Sequence, residues 1–258
     1  MKFHNLPLLM KRLFIISCLA SGLCLPYASS AQSANAAAPV AEVAGSPLTK
    51  RYEAAVGNNS RLYNGPEYIF YNKLYKTVQG HQFFNTTENQ KSEIIYDGFK
   101  FSDIPMLYDL HLEQVVITTP TSPVKLRLVN EKVSSFTTQG HTFVRITTDP
   151  AAKLPVSTGF YDLLVDNGFQ LLVKREKEMK KKAEQDGVTL IFIEYSKFFV
   201  AKDSTYYPIT SINSFANLFP EKKADIQKYS RSNKLKFNKK RRESSILKLA
   251  QYTASLPK

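Results

Sequence analysis

Apolar and polar residues alternate along most of the chain between residues 62 and 210, and turn residues interrupt the alternation at short intervals. The stretch from Glu93 to Thr118 shows this pattern most clearly. Ile94 to Tyr96 ends at Asp97-Gly98, a dipeptide that tolerates the positive φ of a tight turn, and Phe99 to Phe101 leads back. The pattern predicts a β-hairpin at this position, within an antiparallel meander.

A second turn is predicted at Asp103-Ile104-Pro105, because proline fixes its own φ and lacks the N–H that a central strand donates. Asp166-Asn167-Gly168 gives the clearest hairpin signal of the chain. The strands predicted beyond Pro105 are Met106 to Leu112, Val115 to Thr118, Lys125 to Val129, Val133 to Thr137, Thr142 to Thr147, Phe160 to Val165, Phe169 to Arg175, Val188 to Tyr195, Lys197 to Lys202 and Tyr206 to Ile209.

The run of charged residues from Lys174 to Glu184 leaves two structures open. It can continue the preceding strand as an exposed arm, or it can form a short helix. In either case the composition favours a solvated face.

After residue 210 the apolar positions follow the period of a helix. Ser211 and Asn238 are suited to cap helices, and Pro220 is suited to begin one. Ile246, Leu249, Ala250 and Thr253 share one face of the last predicted helix. We therefore predict a mainly β (α+β) fold, an antiparallel meander forming a half-barrel or roll with short basic C-terminal helices.

The first 31 residues have the features of a signal peptide. A basic pair, Lys11-Arg12, precedes an apolar run from Leu13 to Leu25, and small residues extend to Ala31. We expect cleavage near Ala31 and export through the inner membrane, so that the protein is periplasmic or secreted. Both cysteines, Cys18 and Cys24, belong to the leader, so the exported chain is expected to form no disulfide.

Four regions are predicted in total. Residues 1–31 are the signal peptide, and residues 32–61, rich in alanine and interrupted by prolines, are a low-complexity linker. Residues 62–210 form the antiparallel β-domain. Residues 211–258 form a basic helical region packed on it.

The positive charge of the chain is placed unevenly. Residues 32–170 contain 12 basic and 13 acidic residues, whereas residues 171–258 contain 20 basic and 9 acidic residues. The densest basic segment, from Lys234 to Arg242, would suggest nucleic-acid binding in a cytosolic protein. Export favours anionic lipid, lipopolysaccharide or acidic glycan instead, with the protein peripheral to the membrane at most. The candidate binding residues are Lys234, Lys236, Lys239, Lys240, Arg241 and Arg242. The alternative is that these residues only keep the tail soluble.

The remaining candidates for chemistry are few. His81, His111 and His141 are too far apart in sequence for a local metal-binding pattern, so we expect hydrogen-bonded structural roles and predict no metal or cofactor. No G-x-S-x-G or glycine-rich phosphate-binding motif is present. We therefore predict a binding or structural protein of the cell envelope, without catalytic activity.

Carboxylates of the central meander provide the alternative function, a carbohydrate-active hydrolase that uses a pair of acids. The acids concerned are Asp97, Asp103, Asp109 and Glu113. Asp97 and Asp103 are already explained by their predicted turns. Asp109 has no such local explanation.

Several short motifs extend over most of the predicted folded region. They are Tyr63-Asn64-Gly65-Pro66-Glu67-Tyr68, Gly80-His81 followed by Phe83-Phe84, Tyr96-Asp97-Gly98, Pro105-Met106-Leu107-Tyr108-Asp109 and Asn233-Lys234-Leu235-Lys236-Phe237. With these motifs the chain resembles, from Leu62 to about Tyr252, a family of exported proteins common in Bacteroidota-type bacteria. The resemblance implies export and a bacterial envelope setting, and it implies no particular activity.

Overall fold

The computed structural model describes residues 58–120, 122–185 and 187–257. The predicted signal peptide and all but the last four residues of the predicted linker lie outside the described residues. Within them, eleven strands belong to one sheet. The strands are β1 (Thr77–Gln79), β2 (Gln90–Tyr96), β3 (Phe99–Asp109), β4 (Gln114–Thr118), β5 (Lys125–Arg127), β6 (Val133–Thr138), β7 (His141–Ile146), β8 (Gly159–Asp166), β9 (Gln170–Glu184), β10 (Gly187–Lys202) and β11 (Thr205–Ile209).

Helices account for a smaller part of the described chain, so the fold is mainly β as predicted. The α-helices are α1 (Ile212–Ala216), α2 (Lys223–Ser232) and α3 (Arg242–Ser255). Short 3-10 helices cover Asn58–Arg61, Tyr71–Leu74, Asn130–Lys132 and Pro220–Lys222. No helix among the described residues is long and apolar enough to cross a lipid bilayer.

The sheet has the strand order β5-β4-β3-β2-β6-β7-β8-β9-β10, and it does not close into a barrel. β1 and β11 both pair with β10, at residues 189–191 and 198–202 respectively. Neighbouring strands are antiparallel except for β1 and β10, which are parallel. β2 pairs with β3 on one side and with β6 on the other. Strands β3 to β5 therefore extend the sheet on one side of β2, and strands β6 to β10 extend it on the other.

The sheet is strongly curled. The backbone N–H of Lys177 in β9 donates to the carbonyl of Leu110, 3.3 Å away, at the end of β3. β3 and β9 are five positions apart in the strand order, so this contact brings distant parts of the sheet together.

The turn between β2 and β3 is the one predicted. Tyr96 pairs with Phe99, and the two residues between them, Asp97 and Gly98, have φ values of 53° and 81°. Both values lie in the left-handed region that a two-residue hairpin turn requires.

The predicted turn at Asp103-Ile104-Pro105 is wrong, because β3 continues through it. Ser92 pairs with Ile104 while Ile94 pairs with Phe101, so that Glu93 of β2 faces two residues of β3. Asp103 has φ 56°, which makes this irregularity a β-bulge. Pro105 is tolerated because β4 pairs with β3 only from Met106 onward.

In the hairpin of β9 and β10, the charged run continues β9 as a strand to Glu184, which is one of the two structures that the sequence left open. β10 differs from the prediction, because it is a single strand where two were predicted. Pairing runs without a break from Gly187 and Glu184 to Ala201 and Gln170. Three cations in the first half of the charged run, Lys174, Arg175 and Lys177, are buried, which differs from the solvated face that the composition favoured.

The concave side of the curled sheet is filled by side chains. Tyr108, Phe136, Phe143 and Phe160 form its centre, with ring centroids 4.9 to 6.0 Å apart and mostly edge-to-face orientations. These rings are at most 2% exposed. These four aromatic residues are therefore core, and they leave no open ligand site at that position.

The C-terminal helices pack on a second apolar cluster, which includes Leu171, Val173, Phe198 and Val200 of the sheet. Ser211 caps α1 as predicted, within a capping box completed by Ser214. The four residues predicted to share one face of the last helix are all buried. Asn238 does not cap α3 itself, because its Oδ1 accepts from the N–H of Arg241 (3.0 Å) and fixes the turn just before the helix.

Candidate functional cleft

A cleft of about 1050 Å³ lies beside the middle of the β9–β10 hairpin. Residues 174–178 and 194–198 of the two strands line it, together with the β3–β4 turn and the start of α3. His111 Nδ1 donates to the carbonyl of Lys177 (2.9 Å), which holds the β3–β4 turn against β9. We call this space the cleft.

Arg175 lies on the side of β9 that faces α3. Its Nε donates to Asp162 Oδ2 (2.7 Å), and its NH1 and NH2 donate to Glu243 Oε2 (3.0 Å) and Oε1 (2.7 Å). Burial lowers the pKa of the Arg175 guanidinium, but the two carboxylates outweigh burial and raise it. His141 Nδ1 also donates to Asp162 Oδ2 (2.8 Å), so four residues from three strands and a helix form one network.

Lys177 lies on the same side of β9 as Arg175. Its Nζ donates to the carbonyls of His81 (2.9 Å) and Phe83 (2.6 Å) and lies 3.7 Å from Glu194 Oε2. Burial lowers the pKa of the Lys177 amine, and Glu194 offsets part of that effect. The lysine thus joins β9 to the segment that precedes β2.

The opposite side of β9 carries further ion pairs. Lys174 contacts Glu113 Oε1, which also accepts from the backbone N–H of Phe160 (2.7 Å). Glu176 lies 2.7 Å from Lys197, and Glu178 lies 3.6 Å from Lys180. Every carboxylate that lines the cleft therefore has a cationic partner: Glu113, Glu176, Glu178, Glu194 and Glu243.

The six predicted basic residues lie on one short segment, from Lys234 to Arg242. We call residues 233–241, which connect α2 to α3, the basic loop. Lys234, Lys236, Lys239, Lys240 and Arg241 are exposed, and Arg242, the first residue of α3, is half-buried. None of the six forms an ion pair with any residue that the structure describes. Only Lys239 and Arg242 reach the cleft.

The basic excess after residue 170 is divided between the sheet and the C-terminal helical region. Of the 20 basic residues after position 170, 8 lie in β9 and β10. Three of these, Lys174, Arg175 and Lys177, are buried and hydrogen-bonded. Of the exposed cations without an ion pair in the described residues, those of the basic loop are the most densely spaced in the sequence.

The four acids of the predicted hydrolase do not meet at one place. Asp97 lies in the β2–β3 turn, 3.5 Å from Lys132, and Asp103 lies in the bulge. Asp109 is fully buried and accepts from the hydroxyls of Tyr68 (2.6 Å) and Tyr71 (3.0 Å). Glu113 alone of the four lines the cleft, so the geometry does not favour a pair drawn from this set.

Sequence reasoning missed Asp162 and the significance of Arg175. Asp162 is a carboxylate between apolar residues in the interior of β8, which is the same signal that drew attention to Asp109. Arg175 was not singled out because it is one of several charged residues in the run from Lys174 to Glu184.

Of the histidines, His141 is hydrogen-bonded as predicted, through Asp162. Burial, followed by the charge of Lys177, lowers the pKa of His81. Within the described part of the chain, no group of three or more His, Cys, Asp or Glu side chains is placed to hold a metal ion.

No family model, curated protein or solved structure matches the chain. The resemblance to exported envelope proteins therefore stays a prediction.

Proposed function

We propose that this is an exported cell-envelope protein without catalytic activity, which docks on an anionic lipid surface through the basic loop. The observation that carries the proposal is the concentration of charge there. Six basic residues occur among the nine from Lys234 to Arg242, and none pairs with a described carboxylate. By contrast, the buried cations of the tail, Lys174, Arg175 and Lys177, are all paired with carboxylates within the fold.

The local structure of the loop supports its role in docking. Leu235 and Phe237 are half-buried against the helical cluster, while Lys234 and Lys236 on either side are exposed. The N–H of Lys236 donates to Ser245 Oγ (3.1 Å), which fixes the backbone to α3. The apolar side chains thus hold the loop while the lysines face solvent.

The chemistry of the exposed cations favours a lipid surface. Four of the five are lysines, whose compact and mobile ammonium groups suit diffuse attraction to a headgroup layer more than bidentate recognition of one group. Each lysine or arginine near an anionic membrane contributes about 1 kcal/mol of binding. The predicted leader supports export to a compartment where phospholipid is present and nucleic acid is not.

The test is sedimentation of the purified protein with vesicles that contain phosphatidylglycerol, compared with vesicles of phosphatidylcholine alone. We expect binding to the anionic vesicles only, and weaker binding at high salt. The variant Lys234→Gln/Lys236→Gln/Lys240→Gln removes three exposed charges outside the cleft. At about 1 kcal/mol each, its binding should fall on the order of 100-fold.

The matched control is Lys76→Gln/Lys91→Gln/Lys153→Gln, which removes three exposed lysines that form no ion pair in the described part of the chain. It should bind as the unaltered protein does. Equal binding by both triple variants, or equal retention on neutral vesicles, would show that the basic loop is not a lipid-docking surface.

A further inference from the structure

We propose that the cleft is a binding site for an acidic saccharide, meaning a hydroxyl-rich ligand that carries a carboxylate or a phosphate. The proposal is separate from lipid docking, because it rests on the cleft and not on the exposed face of the basic loop.

The shape of the cleft suits a discrete ligand. Its volume of about 1050 Å³ is slightly above the range of about 300 to 1,000 Å³ typical of small-molecule sites, which leaves room for more than one sugar ring. Its walls come from three separate parts of the fold, each fixed to β9 by hydrogen bonds. The β3–β4 turn is held by Lys177, and the start of α3 is held by Arg175.

The charge of the cleft determines whether the ligand carries negative or positive charge. On the α3-facing side, Glu194 pairs with Lys177, and Glu243 shares Arg175 with the buried carboxylate of Asp162. Lys239 and Arg242 have no such partner among the described residues. Two cations are therefore left for an anionic group, and a guanidinium favours a carboxylate or phosphate because it can donate two parallel hydrogen bonds.

The remaining groups indicate hydroxyls on the ligand. In the register of β9 and β10, Ser196 is opposite Arg175 and Glu194 is opposite Lys177, so these polar side chains lie on one side of the hairpin. Arg175, Lys177 and Glu194 already have partners within the fold, but each carboxylate oxygen can accept further hydrogen bonds, and Ser196 has a hydroxyl available to a ligand. A sugar can both donate to the carboxylates and accept from the serine and the cations.

The experiment is isothermal titration calorimetry of the full chain with a trimer of galacturonic acid. The methyl-esterified trimer keeps the sugar and removes the charge, and glucose 6-phosphate compared with glucose tests a phosphate in place of a carboxylate. We expect the acid trimer or the sugar phosphate to bind and the corresponding neutral sugar not to bind. Lys239→Gln/Arg242→Gln should weaken binding by about 10-fold or more, as expected for two charge-assisted contacts.

The control is Lys234→Gln/Lys236→Gln, which removes the same charge from the basic loop outside the cleft. It should retain saccharide binding while it weakens vesicle binding, so the two proposals can fail separately. Unfolding curves of both variants establish that they are folded. Failure of both anionic sugars to bind, equal binding of the neutral sugars, or full binding by Lys239→Gln/Arg242→Gln would each overturn the proposal.

Discussion

Arg175 and Glu243 form a bidentate ion pair that joins the sheet to the last helix. NH2 of Arg175 lies 2.7 Å from Oε1 of Glu243, and NH1 lies 3.0 Å from Oε2. The residues are 68 positions apart in the chain, one in the middle of β9 and the other in the first turn of α3. Since the start of α3 is one wall of the cleft, this pair helps to set the position of Arg242.

The first prediction concerns the buried side of this network. Arg175→Met should lower the free energy of unfolding by about 3 to 5 kcal/mol, because Asp162, which is fully buried, loses its cationic partner. Oδ2 of Asp162 accepts from Arg175 and His141, whereas Oδ1 has no hydrogen-bond partner among the described residues. Urea denaturation followed by circular dichroism measures the loss.

Two further variants make this measurement interpretable. Arg231→Met removes an exposed arginine of α2 that forms no ion pair in the described region, and it should change stability by less than about 0.5 kcal/mol. Adding Asp162→Asn to Arg175→Met should recover part of the loss, since the unpaired charge is then absent. If Arg175→Met costs no more than Arg231→Met, the network does not stabilise the fold.

The strands and hairpins could be predicted from the sequence because their signals are local. Asp97-Gly98 and Asp166-Asn167-Gly168 each carry turn chemistry next to alternating residues, and the structure has a hairpin at both. The bulge at Asp103 was missed because the same residues also favour a turn. Aspartate tolerates a positive φ both in a turn and in a bulge. The pairing of Lys91 with Pro105, which continues the strand beyond Asp103, shows that the structure is a bulge.

The cleft could not be predicted because it depends on contacts between distant parts of the chain. Lys174 and Glu113 are 61 positions apart, and Lys177 bonds to the carbonyl of His81, 96 positions away. No local pattern encodes these separations. Sequence reasoning did single out Lys239, Arg242, Glu113 and His111 individually, but it could not show that they line one cleft.

The second prediction concerns the hydrogen bond from Tyr68 to the buried carboxylate of Asp109. Tyr68→Phe removes the hydroxyl that donates to Asp109 Oδ2 at 2.6 Å. A buried carboxylate then loses a donor, so the free energy of unfolding should fall by about 1 to 3 kcal/mol. Tyr207→Phe is the control, since that half-buried tyrosine makes no side-chain hydrogen bond in the described part. If both variants lost the same free energy of unfolding, the hydrogen bond to Asp109 would contribute nothing beyond the loss of a tyrosine hydroxyl.

The third prediction concerns the approach of the chain to β5. A Cβ at Gly65 would overlap the backbone carbonyl of Arg127, which cannot move away as a flexible side chain could. Gly65→Ala should therefore destabilise the fold by about 1 to 3 kcal/mol through overpacking. It should also weaken the adjacent bond from the N–H of Arg127 to the carbonyl of Pro66 (2.9 Å), seen as faster amide exchange at Arg127.

Gly140→Asn is the control for Gly65→Ala. Gly140 has φ 76°, which asparagine tolerates, and a Cβ there meets no atom within 4 Å. This variant should remain close to the original stability. If Gly65→Ala were as stable as Gly140→Asn, the close approach to β5 would not constrain the segment.

The fourth prediction concerns Glu93, the residue opposite the bulge. Its side chain lies 2.9 Å from Lys100 Nζ, and the hydrogen bond and charge of that lysine lower the pKa of Glu93 from its ordinary value of 4.5. The unfolded chain therefore binds a proton more readily than the folded chain. The pair stabilises the fold above about pH 4.5, and this contribution is lost as the pH falls through the lowered pKa of the folded state.

Titration of the Glu93 carboxyl carbon by NMR measures that pKa directly. Lys100→Gln should return it towards 4.5, and added salt should do the same because both side chains are exposed. Lys91→Gln, on the same strand as Glu93 but without an ion pair in the described residues, should leave it unchanged. A Glu93 pKa that does not respond to Lys100→Gln would show that the lysine is not the cause of the shift.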